Sequence, residues 1–205
     1  MTSQRMIFFA AVGLALAVTL GYMQTAPAQI GIGGGGFGPV PDPSQITSVG
    51  TNKLIAVETP AKDGVKVYSI DEGIWTEYRA PKGIRTRPCG AVDYVATMPE
   101  GPKITQLAAF SDPSKGWITL DLPEPAPGKL WGPVLGPTIA VYVDGRHVYA
   151  FSSLASKWGV LELPPKGAKP NPIIGSRVAT VTHGDRIYIF NGKFGRWDDS
   201  GDKPK

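Results

Sequence analysis

TIAVYVDGRHVYAFSSLASKWGVLELP, residues 138–164, is the stretch whose reading decides the fold. TIAVYV (138–143) is an apolar run rich in β-branched and aromatic residues. Asp144-Gly145 follows, the dipeptide that supplies positive φ angles in a tight hairpin. RHVYAFS (146–152) returns as a second strand, a polar turn intervenes, and KWGVLEL (157–163) forms a third. Pro164 ends it, because proline has no amide hydrogen to give to a ladder. The stretch therefore predicts a three-stranded antiparallel meander.

Working outward, the pattern recurs. Trp158 has counterparts at Trp75, Trp117 and Trp197, at spacings of 42, 41 and 39 residues. Seven residues before each Trp stands an aromatic (Tyr68, Phe110, Phe151, Phe190), followed by a small polar residue (Ser69, Ser111, Ser152, Asn191). Three residues before the aromatic is an aliphatic: Val65, Leu107, Val148 and Ile187. Pro81, Pro123 and Pro164 each lie six residues beyond their Trp. His183-Gly184-Asp185 and Lys62-Asp63-Gly64 stand at the hairpin turns of units four and one, and the unit around Pro99-Glu100-Gly101-Pro102 is the least regular. A period near 40 built from strands and turns is the mark of a propeller or similar array. One small meander is marginal in water, but four in series can cover one another. The recurring Trp reads as core: a large aromatic buries about 150–250 Å² at a seam, on the order of 2–3 kcal/mol.

The fold class expected is thus all-β, four repeats of antiparallel three- to four-stranded meanders, β-propeller-like, with an N-terminal hydrophobic helix. The repeat resembles the kelch motif. Phe110-Ser111-Asp112-Pro113 through Trp117 and Pro123 is similar to its half-motif of aromatic, Asp-Pro turn, Trp, Leu and Pro, and VDGRHVYAF (143–151) resembles the preceding half. Kelch blades carry a Gly-Gly pair where this chain has Phe151-Ser152-Ser153 and Phe190-Asn191-Gly192. Quinoprotein and tryptophan-aspartate propellers also place one Trp per blade. The resemblance implies binding at the channel mouth or on one loop face. Four blades is the low end for propellers, which leaves a tight ring, an open array, or two chains pairing into a larger ring.

The rest of the chain divides around residues 46–197, the repeat domain. Residues 1–28 read as a secretory signal: Arg5, an apolar run over 6–23, and Ala26-Pro27-Ala28 as the cleavage site. An uncleaved anchor is the alternative, since the run approaches the roughly 18–20 residues that span a bilayer. Either places the body outside the cytoplasm, secreted or in the cell envelope. Residues 29–45 form a Gly- and Pro-rich linker: Gly31, Gly33 and Gly36 have dinucleotide-loop spacing, but Pro39, Pro41 and Pro43 forbid the helix such a loop needs. Residues 198–205 read as a polar tail.

The net charge of +4 is interspersed rather than clustered, which argues against nucleic acid as a partner. Cys89 is the one cysteine, so no intrachain disulfide is possible. His147 and His183 hold different repeat positions and read as structural, and no zinc spacing or other metal site is present. No cofactor is expected. Asp198, Asp199 and Asp202 read as solvated charge. The candidate binding residues are Trp131, the Trp outside the period, and Arg85 and Arg87, all in the long connections between units. Three functions follow: a non-catalytic binding module for a protein or glycan, a glycan-active enzyme using carboxylates such as Asp93 or Glu124, and a structural subunit whose edges pair with other copies.

Overall fold

The computed structural model describes residues 48–165 and 167–200, without the side chains of Pro127, Lys129 and Trp131. The expected signal or anchor (1–28), the linker (29–45) and residues 201–205 of the expected tail lie outside the described residues. The described chain is all β, in four antiparallel sheets. The first comprises β1 (Ser48–Gly50), β2 (Leu54–Glu58), β3 (Gly64–Ser69) and β4 (Ile74–Arg79). The second holds β5 (Arg85–Gly90), β6 (Tyr94–Ser111) and β7 (Gly116–Lys129). The third holds β8 (Trp131–Leu135), β9 (Ile139–Asp144), β10 (His147–Ser152) and β11 (Lys157–Glu162), and the fourth β12 (Pro172–Ile174), β13 (Val178–His183), β14 (Arg186–Asn191) and β15 (Arg196–Asp199). Each sheet pairs its strands in chain order, as the blades of a propeller-like array do.

The repeat seen in the sequence is a repeat of hydrogen bonds. The residue two beyond each aromatic donates its amide to the carbonyl just before the second strand: Ile70 to Lys53, Asp112 to Asp93, Ser153 to Thr138 and Gly192 to Arg177, at 2.9–3.1 Å. The first turns match too, with Thr51, Ala91, Gly136 and Gly175 donating to Leu54, Tyr94, Ile139 and Val178. The middle hairpins of the third and fourth sheets are two-residue loops, Gly145-Arg146 and Gly184-Asp185, with positive φ at the glycine. Glycine at the first central position is the II′ arrangement, so Asp144 belongs to the strand and the turn lies one residue further on than the Asp-Gly pair implies.

The second sheet is the irregular one. β6 runs 18 residues, which straight would reach about 60 Å at ~3.3 Å per residue. Yet Asp93 and Asp112, flanking its two ends, share a hydrogen bond of 3.1 Å, and Thr97 Oγ1 bonds both the carbonyl and the amide of Ala108. β6 therefore doubles back around Pro99–Pro102. Its partner β7 carries a wide bulge, with Ile104 opposite Ala126 but Gln106 opposite Asp121. Pro123 and Pro125 sit in that bulge, where no ladder amide is required. Pro123 thus interrupts its strand rather than ending it, unlike Pro81 and Pro164.

Three hydrophobic seams join the sheets. Leu54, Ala56, Val65 and Val67 of the first pack on Val95, Phe110 and Trp117 of the second. Leu107, Ala109 and Tyr94 of the second pack on Tyr142, Phe151 and Trp158 of the third. Val141, Val148 and Ala150 of the third pack on Val181, Phe190 and Trp197 of the fourth. Every seam sets a face that is aliphatic, apart from Tyr94 of the second sheet, against the Trp-bearing face of the next sheet. β9 and β10 are consequently buried on both faces, whereas β2 and β13 alternate buried and exposed. The expectation that all four tryptophans are core is corrected at one end: Trp158 is 8% exposed but Trp75 is 55% exposed. Each repeat Trp faces the preceding sheet, and among the described residues no sheet precedes the first.

Candidate functional site

Because each sheet is a four-arm meander, its first and third turns share one end of the array, the near end. The middle turns and the connections between sheets share the far end. The third turns are Ile70–Gly73, Asp112–Lys115, Ser153–Ser156 and Gly192–Gly195. Their last residue always has positive φ: Gly73 (67°), Lys115 (53°), Ser156 (47°) and Gly195 (61°). In three of the turns the small polar residue before the turn organises it. Ser69 Oγ accepts from Glu72 N, Ser152 Oγ from Ala155 N, and Asn191 Oδ1 from Lys193 N. This local side-chain capping is why serine and asparagine recur there.

The four turns are tied into one row. Ser111 Oγ donates to Ser153 O at 3.1 Å, and Ser152 Oγ makes the equivalent bond to Gly192 O. Between the first two sheets the ties are ionic, Lys53 Nζ to Asp112 Oδ2 at 3.0 Å and Lys115 to Glu72. Hydrogen bonding to these carboxylates, and their charge, hold both ammonium groups above their ordinary range. On this row three apolar side chains stand about half exposed: Ile70, Leu154 and Phe194. Lys193 Nζ and Arg196 Cζ lie 5.6 and 5.5 Å from the centroid of the Phe194 ring, within reach of its electron-rich face. The sequence reading used Asp112-Pro113 of one such turn as part of the kelch-like half-motif, but the apolar Ile70, Leu154 and Phe194 belong to no motif, and the signal they offered was an odd apolar residue in an otherwise polar turn.

The residues singled out from sequence lie at the far end, in strands rather than in the connections expected to hold them, because those connections themselves pair as β5 and β8. Arg85 opens β5 opposite Glu100, and Glu100 is opposite Lys129 of β7, two residues before Trp131 opens β8. The backbone thus brings Arg85 and Trp131 to the same end of neighbouring sheets; the Trp131 side chain lies outside the described residues. Arg87 is half-buried against Glu58, with Nε 4.0 Å from Oε1. Asp93 stands at the near end and Glu124 in the β7 bulge toward the far end, so this register does not pair them.

The remaining candidates are structural. His183 Nε2 lies 3.1 Å from Pro164 O, and the His147 ring stacks on Tyr149 with centroids 6.0 Å apart. Cys89 is buried with its thiol on Ala96 O, and burial pushes that thiol well above its usual range, which suppresses the thiolate. Asp198 and Asp199 belong to β15, paired with Arg196 and Arg186, rather than to a free tail. Among the described residues no group of His, Cys, Asp and Glu is placed to hold a metal.

No protein-family model and no curated protein matches the chain. Among solved structures it is similar to U3-55K (10% identity, TM-score 0.38, covering 74% of this chain and 50% of that one). It is also similar to the N-terminal domain of Nup159 (10% identity, TM-score 0.35, 74% and 46%). A third is Kluyveromyces lactis Hsv2 (12% identity, TM-score 0.25, 72% and 60%). The chain spans about half the length of the first two of these structures.

Proposed function

We propose that this chain is an exported, non-catalytic binding module built on kelch-like repeats, and that it holds a protein or glycan partner on its near end. The observation that carries the reading is the row of third turns. It presents Ile70, Leu154 and the Phe194–Lys193–Arg196 cluster to solvent while fastening each turn to its neighbour. Exposed apolar groups on a rigid turn row suit recognition, since little side-chain or loop entropy remains to be lost on binding. An aromatic flanked by cations suits an anionic or sugar-like surface. Export rests on the segment 1–28, and the far end, where Arg85 opens β5 and Trp131 opens β8, is the alternative location for a partner.

The test is retention of a partner from solubilised envelope and culture fluid by the tagged chain. Phe194→Ala and Leu154→Ala should abolish retention of a specific molecule while Asp185→Ala, on a far-end turn, leaves it intact. Loss only in Trp131→Ala or Arg85→Ala would move the site to the far end. Turnover of a glycan that survives both sets of substitutions would replace the reading with an enzyme.

A further inference from the structure

The two terminal sheets expose opposite halves of one seam. At each internal seam the preceding sheet gives a mainly aliphatic face and the following sheet the Trp-bearing one. The first sheet leaves its aromatic face open: Tyr68 and Trp75 pack together with centroids 5.2 Å apart, Ile55 and Trp75 are exposed, and Val57, Lys66, Trp75 and Glu77 line a groove of about 500 Å³. The fourth sheet leaves its aliphatic face open, with Val178, Ile187 and Ile189 exposed. By distance from the Trp, Ile187 and Ile189 occupy the places of Val148 and Ala150, which are wholly buried in the third sheet's seam with the fourth.

Polar groups match as well. Trp158 Nε1 donates to Ile118 O at 3.0 Å and Trp197 Nε1 to Gly159 O at 3.3 Å. In each case the acceptor is the residue after the preceding sheet's own Trp. Trp117 packs in its seam without such a bond. By position the series continues with Asp198 O as acceptor and Trp75 Nε1 as donor. Likewise Ser111 and Ser152 each tie their turn to a carbonyl two beyond the next sheet's aromatic. The series continues with Asn191 on the fourth sheet and Ile70 O on the first.

We propose that the occupant of each open face is a second copy of this chain, arranged head to tail so that Trp75 of one copy packs on Ile187 and Ile189 of the other. This assembly is independent of what the turn row binds. Head-to-tail contacts either close into a ring or run on as a filament. Two copies make a ring of eight blades, at the upper end of the usual propeller range, whereas three copies would exceed it. Ring closure also forms two seams from two chains, and the second seam forms within one complex, at high effective concentration.

Native mass spectrometry of the full chain, released from detergent, tests this. The expected species has twice the 21.8 kDa chain mass. Trp75→Arg and Ile189→Arg each change an exposed residue, so folding by far-UV circular dichroism is expected to persist. Each alone should weaken the dimer about 30-fold or more, the effect of losing a central hot spot. Mixing the two variants should restore a hetero-pair through the one intact seam. A wild-type chain that stays monomeric at every concentration, masses that climb past two copies, or a dimer indifferent to both substitutions would each overturn the proposal.

Discussion

Lys115 and Ser156 adopt the left-handed conformation that Gly73 and Gly195 adopt at the equivalent positions. A side chain there costs about 1 kcal/mol that glycine escapes, and the exposed Lys115–Glu72 pair offsets little of it. Lys115→Gly is therefore expected to raise stability by up to about 1 kcal/mol, and Lys115→Val to lower it by about as much, both read from urea unfolding midpoints. The tyrosines set a second residue-scale expectation. Burial, helped by the charge of Asp121, pushes the Tyr78 phenol from its ordinary 10.0 up to about 12. Burial also raises Tyr94 and Tyr142 well above that ordinary value. A raised acid stays neutral in the folded chain while its unfolded counterpart ionises, so stability is full below pH 10 and is lost as pH rises toward about 12. Urea unfolding measured across that window should show the decline, and Tyr78→Phe should make it shallower. A wild-type curve flat through pH 12 would contradict the assignment.

At the scale of the element, close approach decides more than turn chemistry. Gly64 opens β3, and a Cβ there would lie 2.5 Å from the backbone oxygen of Tyr78, so Gly64→Ala must shift β4 and is expected to cost about 1–3 kcal/mol. Gly145→Ala meets nothing within 4 Å and should cost only the roughly 1 kcal/mol of its positive φ. Equal losses in the two variants would show that the β3–β4 contact is looser than it stands. The two hairpin strands and the Trp strand of the regular sheets were readable from sequence because hydrophobic alternation and turn glycines marked them, with a terminal proline in the first and third; β8, rich in Gly and Pro, read as a connection. The second sheet was only partly readable: Pro99–Pro102 marked the place where β6 doubles back, but Pro123 read as the end of a strand that continues through a bulge. The third turns escaped notice for a different reason: Ile70, Leu154 and Phe194 acquire meaning only once neighbouring turns are seen to be tied together.

At the largest scale, among the described residues, sheets two and three are flanked on both sides and sheets one and four on one side only. In such a row stability is shared between neighbours, so the ends open first. Hydrogen exchange on the monomeric Trp75→Arg variant should find the amides of β9 and β10 slowest and those of β1, β2, β14 and β15 markedly faster. Uniform protection would mean that the row unfolds as one block. The period of the tryptophans revealed the row, but not which of them is covered, since Trp75 and Trp158 are the same residue in the same local setting and differ only in what lies beyond their sheet. That difference has a consequence for how such a chain can change over time. Duplicating a unit at the C-terminal side would hide Ile187 and Ile189 and expose a fresh pair in their place, and deleting one would do the reverse. Like the ends of a line of dominoes, the bare surface is invariant to the number of pieces. Gain or loss of units therefore leaves the exposed apolar surface nearly unchanged, and in the proposed ring the number of units is constrained by closure instead.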